Sequence, residues 1–160
     1  MLNFIKLSVL LISVSFFVIP QKQLSLIKEK EFLTKGDTIN WKLLAEIKFV
    51  KKKHKDYGMV DFPIVNDKLK SKSNKKVLLS GFIVPIDNTS YAISKNVFAS
   101  CFFCGKAGPE SIAGLKFKGG KTPKLKTDQY VTVEGTFKYN EIDADNWIYN
   151  LEDVVIVKGY

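Results

Sequence analysis

Hydrophobic and polar positions alternate most regularly between Tyr130 and Tyr139 (YVTVEGTFKY). Valine, glycine and aromatic residues occupy the odd positions from 131 on, and threonine, glutamate and lysine the even ones. A period of two predicts a β-strand with one buried face. Four further segments carry strand signals, namely Val77–Ile86, Tyr91–Phe98, Ser111–Phe117 and Trp147–Val157. No long helical pattern interrupts these five segments, so the sequence predicts a mainly β domain.

Two of the predicted strands carry a central glycine, Gly81 and Gly135. Glycine inside a strand is typical of a bulge or a sharp bend, and strongly coiled strands need such bends to close a barrel. Five short strands with these bends predict a five-stranded Greek-key barrel of the oligonucleotide/oligosaccharide-binding (OB) type. We expect one such domain over residues 41–160, with a short helix or extended segment ahead of the barrel.

The first part of that domain gives weaker signals. Trp41–Phe49 fits both a helix and a strand. The charge run Lys51–Lys55 (KKKHK) is interpreted as a solvated turn. Phe62–Val65 is predicted to be extended, because Pro63 keeps Phe62 out of the helical region. Lys68–Lys76 is interpreted as a polar approach to the first barrel strand.

The N-terminal residues resemble an export signal. One lysine, Lys6, precedes the weakly polar to apolar run Leu7–Ile19, and Pro20 follows it. About 13 such residues fit a secretory signal, whereas a membrane-spanning helix usually needs about 20. We expect a helical signal peptide or signal anchor over 1–22 and a mobile connector over 23–40. The protein is then periplasmic or envelope-associated, and it touches a membrane only through an uncleaved N-terminus.

The composition narrows the range of partners. The chain has 160 residues and a net charge of +9, enough for one domain with a modest core. All 25 basic residues are lysine. Base reading relies on the planar guanidinium of arginine, whereas lysine acts as a hydrated point charge. The composition therefore argues against nucleic acid as the main partner.

Both cysteines lie in the stretch FASCFFCGKAGPE. In Cys101-x-x-Cys104-Gly, two thiolates can converge on one ion, and the glycine lets the backbone turn behind them. Zinc takes four ligands, and thiolates combined with oxygen or imidazole suit it. Glu110 is the first candidate for a further ligand, and His54 and Asp87 are weaker candidates.

Three other interpretations of the cysteine pair stay open. A redox centre of the thioredoxin kind places the pair at the start of a long helix, which Gly105, Gly108 and Pro109 should prevent. A structural disulfide suits an exported protein, but it closes a very small loop and removes little chain entropy. The last interpretation is two buried, reduced cysteines that only pack.

The remaining sequence offers little for catalysis. One histidine, in a basic run, is a poor basis for a hydrolytic triad, and no phosphate-binding or dinucleotide-binding fingerprint is present. An alternative class is a binding module that presents a barrel face to a peptide, a glycan or a nucleic acid. Its aromatic candidates are Tyr91, Tyr130, Tyr139, Trp147 and Tyr149.

Several short motifs are shared with a known group of proteins. They are Trp41-x-x-Leu44, Phe62-Pro63, Ser80–Pro85, Cys101–Gly105 with Gly108–Glu110, and Val131–Thr136. With these motifs, the chain from about Trp41 to Val157 resembles a family of uncharacterised small exported bacterial proteins. Members of that family look like OB-type barrels, and some are encoded beside envelope ABC-transporter and zinc-handling genes. The resemblance implies metal handling at the envelope, with Cys101 and Cys104 as the site and Glu110 as a further candidate. From the Cys-x-x-Cys-Gly turn and this resemblance we expect a non-enzymatic, zinc-binding accessory of an envelope transport system.

Overall fold

The computed structural model describes residues 37–120 and 122–159. The expected signal segment lies outside the described residues, as does the expected connector up to residue 36. The last residues of that connector belong to the fold, because Asp37 and Thr38 pair in parallel with Val77 and Leu78. No helix in the described part of the chain is long and apolar enough to cross a membrane.

The described residues form eight strands and a few short helical turns. The strands are β1 (Asp37–Thr38), β2 (Ile47–His54), β3 (Gly58–Val65), β4 (Lys76–Pro85), β5 (Tyr91–Ser94), β6 (Ile112–Phe117), β7 (Tyr130–Tyr139) and β8 (Tyr149–Lys158). The α-helical turns are Trp41–Leu44 and Asp67–Lys70, and the 3₁₀ turns are Phe98–Ser100, Phe102–Cys104, Pro109–Ser111 and Lys118–Gly120.

Strands β4 to β8 close into a five-stranded barrel. Their order is β4–β5–β6–β8–β7, and β7 returns to pair with β4. All these pairs are antiparallel except β6–β8. The mainly β prediction is confirmed. Each of the five predicted barrel strands is present, and β7 has the predicted bounds, whereas β5 ends at Ser94 instead of Phe98.

The two strand glycines lie where the barrel bends. β4 pairs with β7 over Lys76–Phe82 and with β5 over Phe82–Pro85. Gly81 lies at this change of partner, and a Cβ there would be 2.5 Å from the carbonyl oxygen of Ser94. Gly135 lies at a register shift in the β7–β8 pair. The predicted irregularity is therefore present at Gly135, whereas Gly81 marks a change of partner strand and a close approach of the backbone.

The barrel interior is apolar and contains one large phenol. Tyr149 and Phe137 are among the largest fully buried side chains. The hydroxyl of Tyr149 donates a 2.8 Å hydrogen bond to the carbonyl of Leu44, which ties the Trp41–Leu44 turn to the barrel. Burial raises the pKa of the Tyr149 phenol well above its ordinary value, and the charge of Glu110 raises it further.

Strands β2 and β3 form a separate antiparallel hairpin, with Ile47 opposite Val65 at its base and His54 opposite Gly58 at its tip. The interpretation of Lys51–Lys55 as a turn was wrong, because residues 51–54 belong to β2 and the turn begins at Lys55. The lysines at 51–53 are nevertheless exposed. Three consecutive lysines hide the alternation on which strand recognition depends. The prediction for Phe62–Val65 is confirmed, since these residues end β3.

Candidate ligand groove

A groove of about 290 Å³ lies where three segments of the chain meet. The segments are the β2–β3 hairpin, the loop between β5 and β6 that carries the cysteines, and the loop 140–148 between β7 and β8. We call this cleft the hairpin groove. It is lined by Phe49, Val60, Asp61, Phe62, Pro63, Phe102, Pro109, Asn140, Asp143, Ala144, Asp145, Asn146, Trp147 and Ile148.

Asn140 shapes loop 140–148 from within. Its side-chain oxygen accepts hydrogen bonds from the backbone amides of Ile142 and Asp143. Its side-chain NH₂ donates a 2.6 Å hydrogen bond to the Asp143 carbonyl and also donates to the carbonyls of Asn146 and Trp147. Asparagine side chains often satisfy turn backbone in this way. The loop is thus held in one conformation by its own first residue.

The tip of the hairpin is fastened to the same loop. The hydroxyl of Tyr57 donates a 2.6 Å hydrogen bond to Asp145 Oδ1. The Asp145 carboxylate thereby raises the pKa of the Tyr57 phenol. His54 stacks on Tyr57 with ring centroids 4.8 Å apart, and its Nδ1 accepts from the Asp56 amide. These contacts fix the distance between two walls of the groove.

Aromatic rings form much of the wall, from Phe49, Phe62, Phe102 and Trp147. Phe103 packs edge-on against Trp147 at 5.8 Å. The indole also lies over Gly114 of β6, where a Cβ would be 2.5 Å from Trp147 Cδ1. The missing side chain at residue 114 therefore makes room for the indole.

The two cysteines lie in different surroundings. Both are free thiols, Cys101 fully buried and Cys104 exposed. Cys104 ends a 3₁₀ turn, and Gly105 follows in the left-handed conformation with φ of 66°. Cys104 Sγ donates to the Phe98 carbonyl at 3.3 Å. The sharp turn after Cys104 is confirmed, and neither cysteine heads a multi-turn helix.

Glu110 lies in the 3₁₀ turn Pro109–Ser111 and is half-buried. Its carboxylate folds back over Gly108 and occupies the space that a Cβ of residue 108 would need. It is also close enough to Tyr149 to raise the pKa of that phenol.

His54 and Asp87, the two weaker candidates, serve local structure. His54 packs on the hairpin tip, as described above. Asp87 Oδ1 accepts from the amides of Thr89 and Ser90 and from the Thr89 hydroxyl. These bonds hold the pKa of Asp87 below its usual range. Within residues 37–120 and 122–159, no group of three or more His, Cys, Asp or Glu side chains is arranged to hold a metal ion.

Of the five aromatic candidates for a binding face, Trp147 lines the groove. Tyr149 is in the core. Tyr91 is half-buried and accepts from the Leu125 amide, and Tyr130 packs edge-on against Phe82. The ring of Tyr139 lies 6.0 Å from Nζ of Lys70. The sequence analysis missed Phe49 as a wall residue, and it treated Phe62 only as part of an extended piece. Alternation alone does not show which strand residues meet a distant loop.

Comparisons with known proteins add little. No protein-family model matches the chain, and no curated protein matches it. A similar solved structure is that of a DUF3299 family protein from Pseudomonas aeruginosa, which is 15% identical with a TM-score of 0.46. The match covers 76% of this chain and 95% of that chain. A likeness this weak carries no argument about fold or function, and the resemblance to a family of exported proteins stays a prediction.

Proposed function

We propose that the protein is a non-enzymatic binding module on an OB-type Greek-key barrel, and that the hairpin groove is its ligand site. The order β7–β4–β5–β6 supports the proposed topology. A Greek key places its fourth strand beside its first, in the spatial order 4-1-2-3. Counted from β4, these strands follow that order.

The position of the groove fits the proposed topology. OB-type barrels bind ligands with the loop between their fourth and fifth strands, among other elements. Counted from β4, loop 140–148 joins the fourth strand to the fifth. The same loop supplies Asn140, Asp143, Ala144, Asp145, Asn146, Trp147 and Ile148 to the groove.

The observation that carries the proposal is that hydrogen bonds already hold the walls of the groove in place. Asn140 holds the loop, and Tyr57 fastens the hairpin to it. Ligand pockets are mostly apolar clefts of about 300–1,000 Å³ with a few placed polar groups. A groove that is already shaped loses less conformational entropy when a ligand binds.

The chemistry of the wall suits the binding of a ligand. The side chains that line the groove include aromatic rings, two asparagines and three aspartates. Aromatic rings supply apolar contact surface, and a few placed polar groups orient the ligand.

The test maps the binding surface of the full-length protein. A ¹⁵N-labelled sample is titrated separately with a lysine-containing peptide, cellopentaose and a fifteen-nucleotide thymidine strand. We expect at least one ligand to shift amides at 60–62 and 140–148, and Trp147→Ala to abolish those shifts. Tyr130→Ala is the matched control, because Tyr130 is 56% exposed and does not line the groove. Shifts confined to β5 and β6, or no shifts with any ligand, would overturn the proposal.

Zinc binding by Cys101 and Cys104 is the second candidate function. Its support is that both thiols are free and that the chain turns at Gly105 directly after Cys104. Cys101 is fully buried, so the loop has to open before both sulfurs reach one ion. Zinc titration of the reduced protein against a chromophoric chelator tests this candidate. Equal zinc affinity in the wild-type protein, Cys101→Ser and Cys104→Ser would exclude it.

The cellular setting is also a proposal. The N-terminal sequence supports export to the periplasm or envelope, and the family resemblance supports an accessory role beside an envelope transport or metal-handling system. Under this proposal, the groove receives a component of that system. Fractionation of cells that express the full chain with a C-terminal tag tests the location, and a purely cytosolic signal would overturn it.

A further inference from the structure

The hairpin groove is an acidic region of a basic protein. Asp61, Asp143 and Asp145 line it, and no lysine does, although the chain carries a net charge of +9. Asp61 is paired with Lys51 at 3.2 Å. Among the described residues, neither Asp143 nor Asp145 forms an ion pair. The groove thus offers two carboxylates without a counter-charge.

One ring of the aromatic wall has an ammonium group of the protein beside it. Nζ of Lys52 lies 5.4 Å from the centroid of the Phe62 ring, and that ring also lines the groove. Ammonium groups are attracted to the negative face of an aromatic ring at this separation. Phe102 and Trp147 supply two further rings, on the side of the groove formed by the barrel loops.

The strand beside the groove has a free edge. Within the described chain, β3 pairs only with β2, and residues 60–63 of β3 line the groove. The amide of Val65, at the end of β3, is satisfied by the side chain of Glu141 at 2.7 Å. Pro63 has no amide and the Val65 amide is taken by Glu141, so an extended peptide beside β3 bonds chiefly to the carbonyls of this strand edge.

We propose that the hairpin groove binds an extended, lysine-bearing peptide segment of a partner protein, an inference that rests on the proposed function. The peptide lies along β3, and its ammonium group enters between the rings of Phe102 and Trp147 and the carboxylates of Asp143 and Asp145. Charge complementarity selects this occupant. The same carboxylates repel the phosphates of a nucleic acid, and a neutral glycan leaves them without a counter-charge.

The experiment measures the affinity of the full-length protein for two capped peptides by isothermal titration calorimetry. One peptide alternates valine and lysine over nine residues, and the other carries acetyl-lysine at every lysine position. Acetylation removes the charge while it keeps the length and backbone of the peptide. We expect the acetylated peptide to bind about tenfold more weakly or worse, because it loses the cation–π contact and the attraction of the two carboxylates.

A pair of double variants locates the effect. Asp143→Asn with Asp145→Asn removes two charges while it keeps an oxygen that can accept from the Asp145 amide and from Tyr57. We expect about tenfold weaker binding of the lysine peptide to this variant. The control is Asp67→Asn with Asp153→Asn, which removes two exposed charges at residues that do not line the groove. We expect binding by the control to be unchanged.

The outcomes separate this inference from the proposed function. Equal affinity for both peptides, or equal weakening by both double variants, overturns the inference. Binding of cellopentaose in the groove without binding of the lysine peptide overturns the inference and leaves the proposed function standing. If neither the peptides nor cellopentaose nor the thymidine strand shifts any groove amide, both fail. The comparison of the two peptides uses the wild-type protein, so it holds even if a variant does not fold.

Discussion

The phenol of Tyr57 donates a 2.6 Å hydrogen bond to Asp145, a residue 88 positions further along the chain. This bond is a direct link between the hairpin tip and loop 140–148. We expect Tyr57→Phe to loosen the tip and to widen the groove. Amide exchange at 55–60 should become faster, while the midpoint of thermal unfolding changes little, because the tip contributes little to the core.

Tyr130→Phe is the matched control for that experiment. Tyr130 and Tyr57 are 56% and 59% exposed, but Tyr130 lies on β7 and does not reach loop 140–148. Its substitution should leave exchange in the hairpin unchanged. Equal exchange rates in wild-type and Tyr57→Phe protein would show that the hydrogen bond does not hold the tip.

Tyr149→Phe should destabilise the domain. The substitution leaves the carbonyl of Leu44 without its buried hydrogen-bond donor. An unsatisfied buried acceptor costs about 1–3 kcal/mol. Urea unfolding, followed by circular dichroism, measures the change in the free energy of unfolding. A change well below this range would mean that water replaces the phenol.

The same phenol makes stability depend on alkaline pH. Burial and the charge of Glu110 raise the pKa of Tyr149 in the folded state, whereas a tyrosine in the unfolded chain titrates near about 10. The stabilisation is therefore fully present below about pH 10 and is lost as pH rises toward the folded-state pKa. Wild-type protein should lose stability more steeply above about pH 10 than Tyr149→Phe does. If the free energy of unfolding of the two proteins falls in parallel above this pH, the expectation is wrong.

Gly114→Ala should displace Trp147 from its place in the groove wall, because the new methyl group would lie 2.5 Å from the indole and 2.6 Å from Asn150 Oδ1. Overpacking of this kind costs about 1–3 kcal/mol. In a Trp41→Phe background, the fluorescence of Trp147 should shift to longer wavelength. The control combines Gly114→Ala with Trp147→Leu. The loss in the free energy of unfolding caused by the added methyl should be smaller in this double variant, because the indole is gone. Additive costs would exclude a clash with the indole.

The two thiols should differ in reactivity. Cys104 is exposed and Cys101 is buried, so Ellman's reagent should modify Cys104 at least about a hundredfold faster, as Cys101 reacts only after local opening. Cys104→Ser and Cys101→Ser assign the two phases. If both thiols react fast, the cysteine loop is open in the way that zinc binding requires. If neither thiol reacts, the two cysteines form a disulfide.

The sequence predicts the barrel better than the groove. Tyr130–Tyr139 alternates because β7 has a buried and a less buried face. β4, β5 and β6 each contain three consecutive buried residues, so their signal is a short apolar run instead. The β2–β3 hairpin gives no such signal, since Lys51–Lys53 are exposed on both faces. Its clearest sequence mark is Gly58, which takes a φ of 73° at the turn.

The groove is harder to predict because three distant segments build it. Phe62, Phe102 and Trp147 come from β3, the cysteine loop and loop 140–148. Their proximity depends on strand order, which periodicity does not supply. Trp147 was named from its residue type alone. Cys101 and Cys104 drew attention through their spacing, yet the structure places one in the core and the other at the surface.

The seam between β4 and β7 has a consequence for biosynthesis. Nζ of Lys76 donates a 3.3 Å hydrogen bond to Glu134 across this seam, although 58 positions separate the two residues. A growing chain exposes the long β4 edge for all the time that the ribosome needs to add the residues between them. Non-local pairing of this kind is slow and comes late. The barrel therefore cannot close on the nascent polypeptide until β7 and β8 have emerged from the ribosome.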